Sequence, residues 1–264
     1  MIRFSFDNIL GTAIASSGIA DNLSISQPSK LWRSTNTYET THTLDFTFDR
    51  SLVSCLGLFN LTLIPTANII IEIKDGATVV KSFSLTAEQV VYGYGEGPYG
   101  LFAYGGYAAP GRDWLNRFRV LWFEDVYADS MHISFEGSPN VSLGYVHLGP
   151  SWSPPVGITD TYSSNFKLID TEMGRAIGGS STGSLSRTYR EISVELQLLT
   201  SDDVDYLLST LDNYKPIVFG AYAQNTNTEA LYGTLLCKAP NGIKINGSIK
   251  RRFGVVSLDL EELK

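Results

Sequence analysis

The fold of this chain is decided by one alternating stretch, Thr43-Leu44-Asp45-Phe46-Thr47-Phe48-Asp49. Apolar residues occupy every second position, so Leu44, Phe46 and Phe48 share one face of an extended strand and the polar residues share the other. A helix would instead need apolar residues three or four positions apart. The stretch therefore predicts a half-buried β-strand.

Further strand signals follow at short intervals up to residue 148. Residues 56–63 form a mostly apolar run, as expected for a central strand of a sandwich. Residues 68–74 lead into Asp75-Gly76, a dipeptide typical of two-residue hairpin turns. Additional strands are predicted at residues 117–123, 130–135 and 141–148. Short strands separated by Gly, Pro, Asn and Asp predict a β-sandwich over residues 29–148.

The chain has 264 residues, which favours two domains over one. Residues 149–157 contain three prolines and two glycines, and this composition predicts a linker. Residues 1–28 are predicted to form an N-terminal arm ahead of the sandwich. The second domain is then expected at residues 158–264.

The second domain is predicted to be an α+β domain of long antiparallel strands with one helix. Residues 187–199 alternate like a long strand, and Thr200 is a suitable N-cap for a helix at about residues 201–213. The helix has an apolar stripe of Val204, Leu207, Leu208 and Leu211. Strands are expected after it at residues 217–223, 230–238 and 252–260. The whole protein is thus predicted to be mainly β.

Several classes of function are disfavoured by composition and motif content. A net charge of −7 argues against binding of nucleic acid, which requires a cationic surface. The chain has no motif for a nucleophile, phosphate loop or metal site, and its three histidines are expected to be ordinary strand residues. Cys55 and Cys237 are expected to be buried thiols. We therefore predict no enzyme activity, catalytic residue, metal or cofactor, and no membrane insertion.

Residues 92–107 form an unusual stretch dominated by Tyr and Gly, and a tryptophan follows it closely. A long loop of this composition packs its own aromatic side chains, contacts another protein, or binds a glycan. The sequence leaves these three alternatives open. The candidate binding residues, for an interface or a glycan, are Tyr92, Tyr94, Tyr99, Tyr104, Tyr107 and Trp114.

Three segments of the first half resemble galactose-binding-like jelly rolls of the discoidin type found in bacteriophage tail proteins. They are residues 29–34 (SKLWRS), 44–48 (LDFTF) and 56–61 (LGLFNL). The resemblance implies that the N-terminal sandwich is a jelly roll with a galactose-binding-like fold.

Four segments of the second half look like the strand-helix-strand modules of tail-tube and distal-tail proteins. They are residues 187–194 (RTYREISV), 199–203 (LTSDD), 215–219 (KPIVF) and 256–262 (VSLDLEE). The resemblance implies a structural protein of a phage tail tip or baseplate. It would form a homo-oligomeric ring at the distal end of the tail tube, contact tube and hub proteins, and reside in the virion after synthesis in the host cytoplasm. The alternative is a carbohydrate-binding module that attaches to a host-surface glycan.

Overall fold

The structure is a computed structural model that describes residues 2–24, 30–35, 38–64, 67–86, 118–154, 161–169, 174–175, 181–182, 187–211, 215–221, 234–247 and 254–263. It is mainly β, with antiparallel sheets and one α-helix among these residues, as the sequence predicted. The chain divides into two compact units. The first comprises Asp7–Ser151 and Tyr222–Thr234 and is called the sandwich unit. The second comprises Met1–Phe6, Trp152–Ala221 and Leu235–Lys264 and is called the strand-helix unit.

The elements follow one another in a simple order. The strands up to residue 149 are β1 (Arg3–Ser5), β2 (Thr12–Ala15), β3 (Trp32–Arg33), β4 (Thr41–Phe59), β5 (Asn68–Asp75), β6 (Thr78–Thr86), β7 (Phe118–Glu136), β8 (Ser142–Leu143) and β9 (Tyr145–Gly149), with a 3-10 helix at Ala20–Ser24. The later elements are β10 (Thr161–Ile169), β11 (Gly174–Arg175), β12 (Ser181–Thr182), β13 (Arg187–Leu199), α1 (Ser201–Thr210), β14 (Ile217–Gly220), β15 (Thr234–Lys238), β16 (Ile243–Gly247) and β17 (Gly254–Glu262).

The sandwich unit is organised by one long antiparallel ladder between β4 and β7, each of 19 residues. In the first half of the ladder β4 also pairs with β2, and β7 pairs with β5, which pairs with β6. In the second half β4 pairs with β9. Leu44 and Phe46 from one half and Leu56 and Leu58 from the other are buried in the same core cluster. The two halves therefore contribute to one core, and the predicted apolar face is confirmed because Leu44 and Phe46 are buried and Phe48 packs against them.

The strand-helix unit is built on a seven-stranded sheet with the order β1-β14-β15-β17-β13-β10, in which β16 also pairs with β17. Alternate residues of the long central strands, such as Val194 and Leu258, are buried in its core. Helix α1 begins after Thr200, whose side chain forms a reciprocal capping box with Asp203. The N-cap prediction is confirmed. It could be made from the sequence because a capping box involves only four consecutive residues.

One predicted member of the helix stripe is wrong. Leu207 is fully buried, and Val204 and Leu211 pack against the core, but Leu208 is 52% exposed. Residue 208 directly follows Leu207 in a ten-residue helix, so its side chain is rotated about 100° from that of Leu207, the buried residue of the helix. Only a narrow stripe of α1 is buried.

The prediction of a separate N-terminal arm over residues 1–28 is also wrong. Strand β1 pairs with β14, and Phe4 lies opposite Phe219 with their ring centroids 5.2 Å apart. Strand β2 instead pairs with β4 in the sandwich unit. The first residues belong to the sheet because Ile2, Phe4 and Phe6 alternate and are all buried.

In sequence, both segments of the sandwich unit, Asp7–Ser151 and Tyr222–Thr234, lie between segments of the strand-helix unit. Trp152 exchanges two backbone hydrogen bonds with Phe4, at 2.9 and 2.7 Å, within the strand-helix unit. Inside the sandwich unit, the Asn8 side chain bonds to the backbone of Val146 and Leu148. The start of the predicted linker, residue 149, ends β9 opposite Cys55, and residues 155–157 lie outside the described part.

Candidate functional site

The six aromatic residues singled out by the sequence, Tyr92, Tyr94, Tyr99, Tyr104, Tyr107 and Trp114, lie outside the described residues. Their role stays a prediction. A different surface of the sandwich unit, formed by described residues, has the features of a binding site.

This surface lies where the β4–β7 ladder is irregular. The register shifts between Thr47 and Ser51 and again between Val53 and Cys55. Bulges of this kind bend a strand and redirect its side chains. Between them, residues 49, 50 and 52 of β4 and residues 124, 125 and 127 of β7 are exposed, in contrast to the strongly buried ladder that follows. Consecutive residues are therefore exposed at the bend, whereas in a regular strand every second side chain would point into the core.

Arg50 is fixed at the bend by an ion pair with Asp75 at the end of β5. The guanidinium donates two hydrogen bonds, Nε to Oδ1 at 2.8 Å and Nη2 to Oδ2 at 2.7 Å. Such a bidentate pair sets the orientation of the guanidinium plane as well as its position. The Arg50 guanidinium also lowers the pKa of the Asp75 carboxyl, chiefly through these hydrogen bonds. The pair is therefore ionised at neutral pH.

Tyr127 supplies an exposed aromatic ring beside this pair. The guanidinium carbon of Arg50 lies 4.8 Å from the centroid of the Tyr127 ring, within cation–π distance. Tyr127 is nevertheless 54% exposed, and its cross-strand partner Leu52 is 36% exposed. The ring is thus held in place by Arg50 while much of its surface remains open to a ligand.

The adjoining hairpin turn is held by Asp129. Its Oδ2 accepts a hydrogen bond from the Gly76 backbone N–H at 3.0 Å, and its Oδ1 accepts one from the Ser130 hydroxyl at 2.8 Å. Gly76 has a φ of +61°, the left-handed conformation that the Asp75-Gly76 prediction required. We call the set Arg50, Leu52, Asp75, Tyr127 and Asp129 the Arg50–Tyr127 surface.

Sequence analysis did not predict this surface. Arg50, Asp75 and Tyr127 are separated by 25 or more positions along the chain. They meet only because of the register between three strands and the two bulges. The one local signal was the Asp75-Gly76 dipeptide, which predicted the hairpin turn but not the residues of other strands that lie beside it.

The histidines lie apart from this surface in different settings. His42 and His147 are fully buried in β4 and β9. His132 Nδ1 lies 2.6 Å from Asp45 Oδ1, and His132 is also in register with Glu72. This cross-strand pairing was missed because the three residues are far apart in sequence. In the described ranges, no group of three or more His, Cys, Asp and Glu residues is arranged to hold a metal ion. Cys55 and Cys237 are buried free thiols, as predicted.

Within the part of the chain that the structure describes, no helix has the length and hydropathy needed to cross a bilayer. No protein-family model and no curated protein matches the sequence.

Solved structures match about half of the chain. CpGH89CBM32-6 from Clostridium perfringens is 13% identical with a TM-score of 0.34, and the match covers 52% of this chain and 90% of that one. The chitosan-binding module 1 of a Paenibacillus sp. IK-5 chitosanase/glucanase is 15% identical with a TM-score of 0.33, covering 55% and 97%. A Ruminococcus gnavus GH29 fucosidase bound to fucose is 7% identical with a TM-score of 0.36, covering 54% of this chain but only 25% of the fucosidase. Since these TM-scores are below 0.5, the assignment that follows rests on the surface itself.

Proposed function

We propose that this protein is a non-catalytic carbohydrate-binding protein whose sandwich unit holds a glycan on the Arg50–Tyr127 surface. The observation that carries the proposal is the exposed Tyr127 ring fixed by Arg50, which is itself locked onto Asp75. A preformed site binds with a smaller loss of side-chain entropy than a mobile one. The surface needs no rearrangement to present its groups.

The chemistry of the surface suits a sugar. A pyranose has a face of C–H groups that packs on an aromatic ring, and hydroxyl groups that both donate and accept hydrogen bonds. Tyr127 and Leu52 offer the apolar contact area. The Arg50 N–H groups offer donors, and the Asp75 and Asp129 carboxylates offer acceptors. These are the two kinds of contact that a sugar requires, side by side.

The proposal is tested by screening the intact protein on a glycan array and titrating the best ligand by calorimetry. Tyr127→Ala is expected to weaken binding about tenfold or more, the usual effect of removing a central aromatic contact. Tyr38→Ala is the matched control, because Tyr38 is a 97% exposed tyrosine of the same unit and lies outside the proposed surface. Equal losses in both variants, or no glycan bound at millimolar concentration, would contradict the proposal.

A ring component of a phage tail is the second candidate function. One observation favours it: β10 is the last strand of the seven-stranded sheet, paired with β13 on one side, and no described strand pairs with its other side. An edge of nine residues offers backbone groups to a second copy of the chain, a common route to closed rings.

Mass measurement at increasing protein concentration tests this second candidate. A defined oligomer, broken by a proline within residues 161–169 at a position that does not donate to β13, would support it. A strict monomer with no affinity for tube or hub proteins would exclude the ring while leaving the glycan proposal intact.

A further inference from the structure

The charges at the bend of β4 and β7 are strongly unbalanced. Five carboxylates lie among residues 49–52, 74–76 and 124–129, against two cations, Arg50 and Lys74, and Lys74 is paired with Glu72 at 2.8 Å. Arg50 is already engaged by both oxygens of Asp75. The carboxylates are those of Asp49, Asp75, Glu124, Asp125 and Asp129.

Asp129 is the carboxylate best placed to act on a ligand at the ring. Its two hydrogen bonds come from the neutral donors Gly76 N–H and Ser130 Oγ, at 3.0 and 2.8 Å. Neither bond neutralises its formal charge. Asp129 is two residues from Tyr127 in β7, and after the larger effect of the Asp75 hydrogen bonds it makes a small contribution to raising the pKa of the Arg50 guanidinium. Among the residues of the Arg50–Tyr127 surface, Asp75 balances the charge of Arg50, and the carboxylate of Asp129 is left in excess.

We infer that the Arg50–Tyr127 surface selects uncharged and amino sugars against acidic sugars, and that Asp129 is a specificity-determining residue. This inference rests on the proposed function and deepens it. An ammonium group is attracted both by the carboxylate and by the face of the aromatic ring. A uronate or sialate carboxylate is repelled by Asp129, and the charge of Arg50, the cation of this surface, is already balanced by Asp75. Discrimination by repulsion is a common way to build specificity.

The test uses three methyl glycosides that differ in one group: methyl glucoside, methyl glucosaminide and methyl glucuronide, with the galacto series alongside. Affinities for the intact protein are measured by ligand-detected NMR at low salt. We expect the uronide to bind roughly fivefold more weakly than the neutral glycoside, as for like charges separated by several ångströms near a surface. The difference should shrink in 0.5 M salt because the Debye length falls to about 4 Å.

Asp129→Asn is the decisive variant, because it removes the charge and keeps an oxygen that can accept the Gly76 hydrogen bond. The variant is expected to remove most of the difference in affinity between the uronide and the neutral glycoside. Its affinity for the neutral glycoside should stay within about twofold of the wild-type value. Glu39→Gln is the control, since Glu39 is an exposed carboxylate that precedes the first residue of β4, Thr41, and lies outside the Arg50–Tyr127 surface. Unchanged thermal unfolding midpoints confirm that both variants are folded.

The outcomes separate the inference from the function on which it rests. If no glycoside of either series binds and the glycan array also shows no ligand, the proposed function fails. If the wild-type protein binds the uronide as tightly as the neutral glycoside, the charge selection is refuted while glycan binding stands. If Asp129→Asn keeps the full discrimination, Asp129 is not the specificity-determining residue.

Discussion

His147 lies in β9 with no exposed surface, and burial lowers the pKa of its imidazole to about 3. The folded protein therefore holds this ring neutral, whereas the unfolded chain protonates it at its ordinary pKa of about 6.5. Because the pKa of His147 is lower in the folded state, the unfolded state binds more protons at pH values between about 3 and about 6.5. Stability is then fully present above pH 6.5 and is lost as the pH falls.

The expected loss is about 1.4 kcal/mol per pH unit, or about 2 kcal/mol between pH 6.5 and pH 5. Denaturant unfolding of wild type and His147→Gln at several pH values measures it. The variant cannot titrate, so its stability should depend less steeply on pH by that amount, even though the substitution itself lowers stability. Parallel pH profiles for the two proteins would contradict the burial of a neutral imidazole.

At the scale of single elements, helix α1 depends on its N-terminal capping box. The Asp203 N–H donates to Thr200 Oγ1 at 3.3 Å, and the Thr200 N–H donates to Asp203 Oδ2 at 3.0 Å. Thr200→Ala removes the side-chain acceptor and is expected to cost about 1 kcal/mol in unfolding free energy. Thr200→Ser keeps the hydroxyl and should cost much less. Equal destabilisation by Ala and Ser, measured by denaturant unfolding, would show that the cap contributes little.

Elements were predictable from the sequence where their cause is local. The alternation around Leu44, the Asp75-Gly76 hairpin and the Thr200 cap each depend on neighbouring residues, and the structure shows all three. The exposure of Leu208 and the Arg50–Tyr127 surface were missed. Both depend on which faces meet and on strand register across distant parts of the chain, and no periodicity carries that information.

At the scale of the whole molecule, the chain builds its second unit from both of its ends. The N-terminal strand is anchored by aromatic packing within the strand-helix unit: Phe4 is fully buried, and its ring lies 5.4 Å from Phe6, 6.0 Å from Trp152 and 5.2 Å from Phe219. The sequence showed the alternation of residues 2–6 but not the partner strand. That partner lies more than 200 residues away, so the pairing cannot be inferred from local pattern.

Two core substitutions test this division. Phe4→Ala should destabilise the strand-helix unit by about 3–5 kcal/mol, and Leu44→Ala should destabilise the sandwich unit by about 2–5 kcal/mol. Scanning calorimetry is expected to show that each variant lowers mainly one unfolding transition. If both variants lower a single transition by the same amount, the two units unfold as one.

The central claim is that the sandwich unit binds glycan at the Arg50–Tyr127 surface, and backbone NMR shift mapping tests it most directly. The intact, isotope-labelled protein is titrated with the tightest glycan from the array. We predict that the largest saturable shifts occur at the amides of Arg50, Gly76, Tyr127 and Asp129, and that Tyr127→Ala raises the glycan concentration needed to produce them about tenfold or more while Tyr38→Ala does not. Saturable shifts confined to residues 92–114, with none at these four amides, would contradict the claim and assign binding to the tyrosine- and glycine-rich stretch instead.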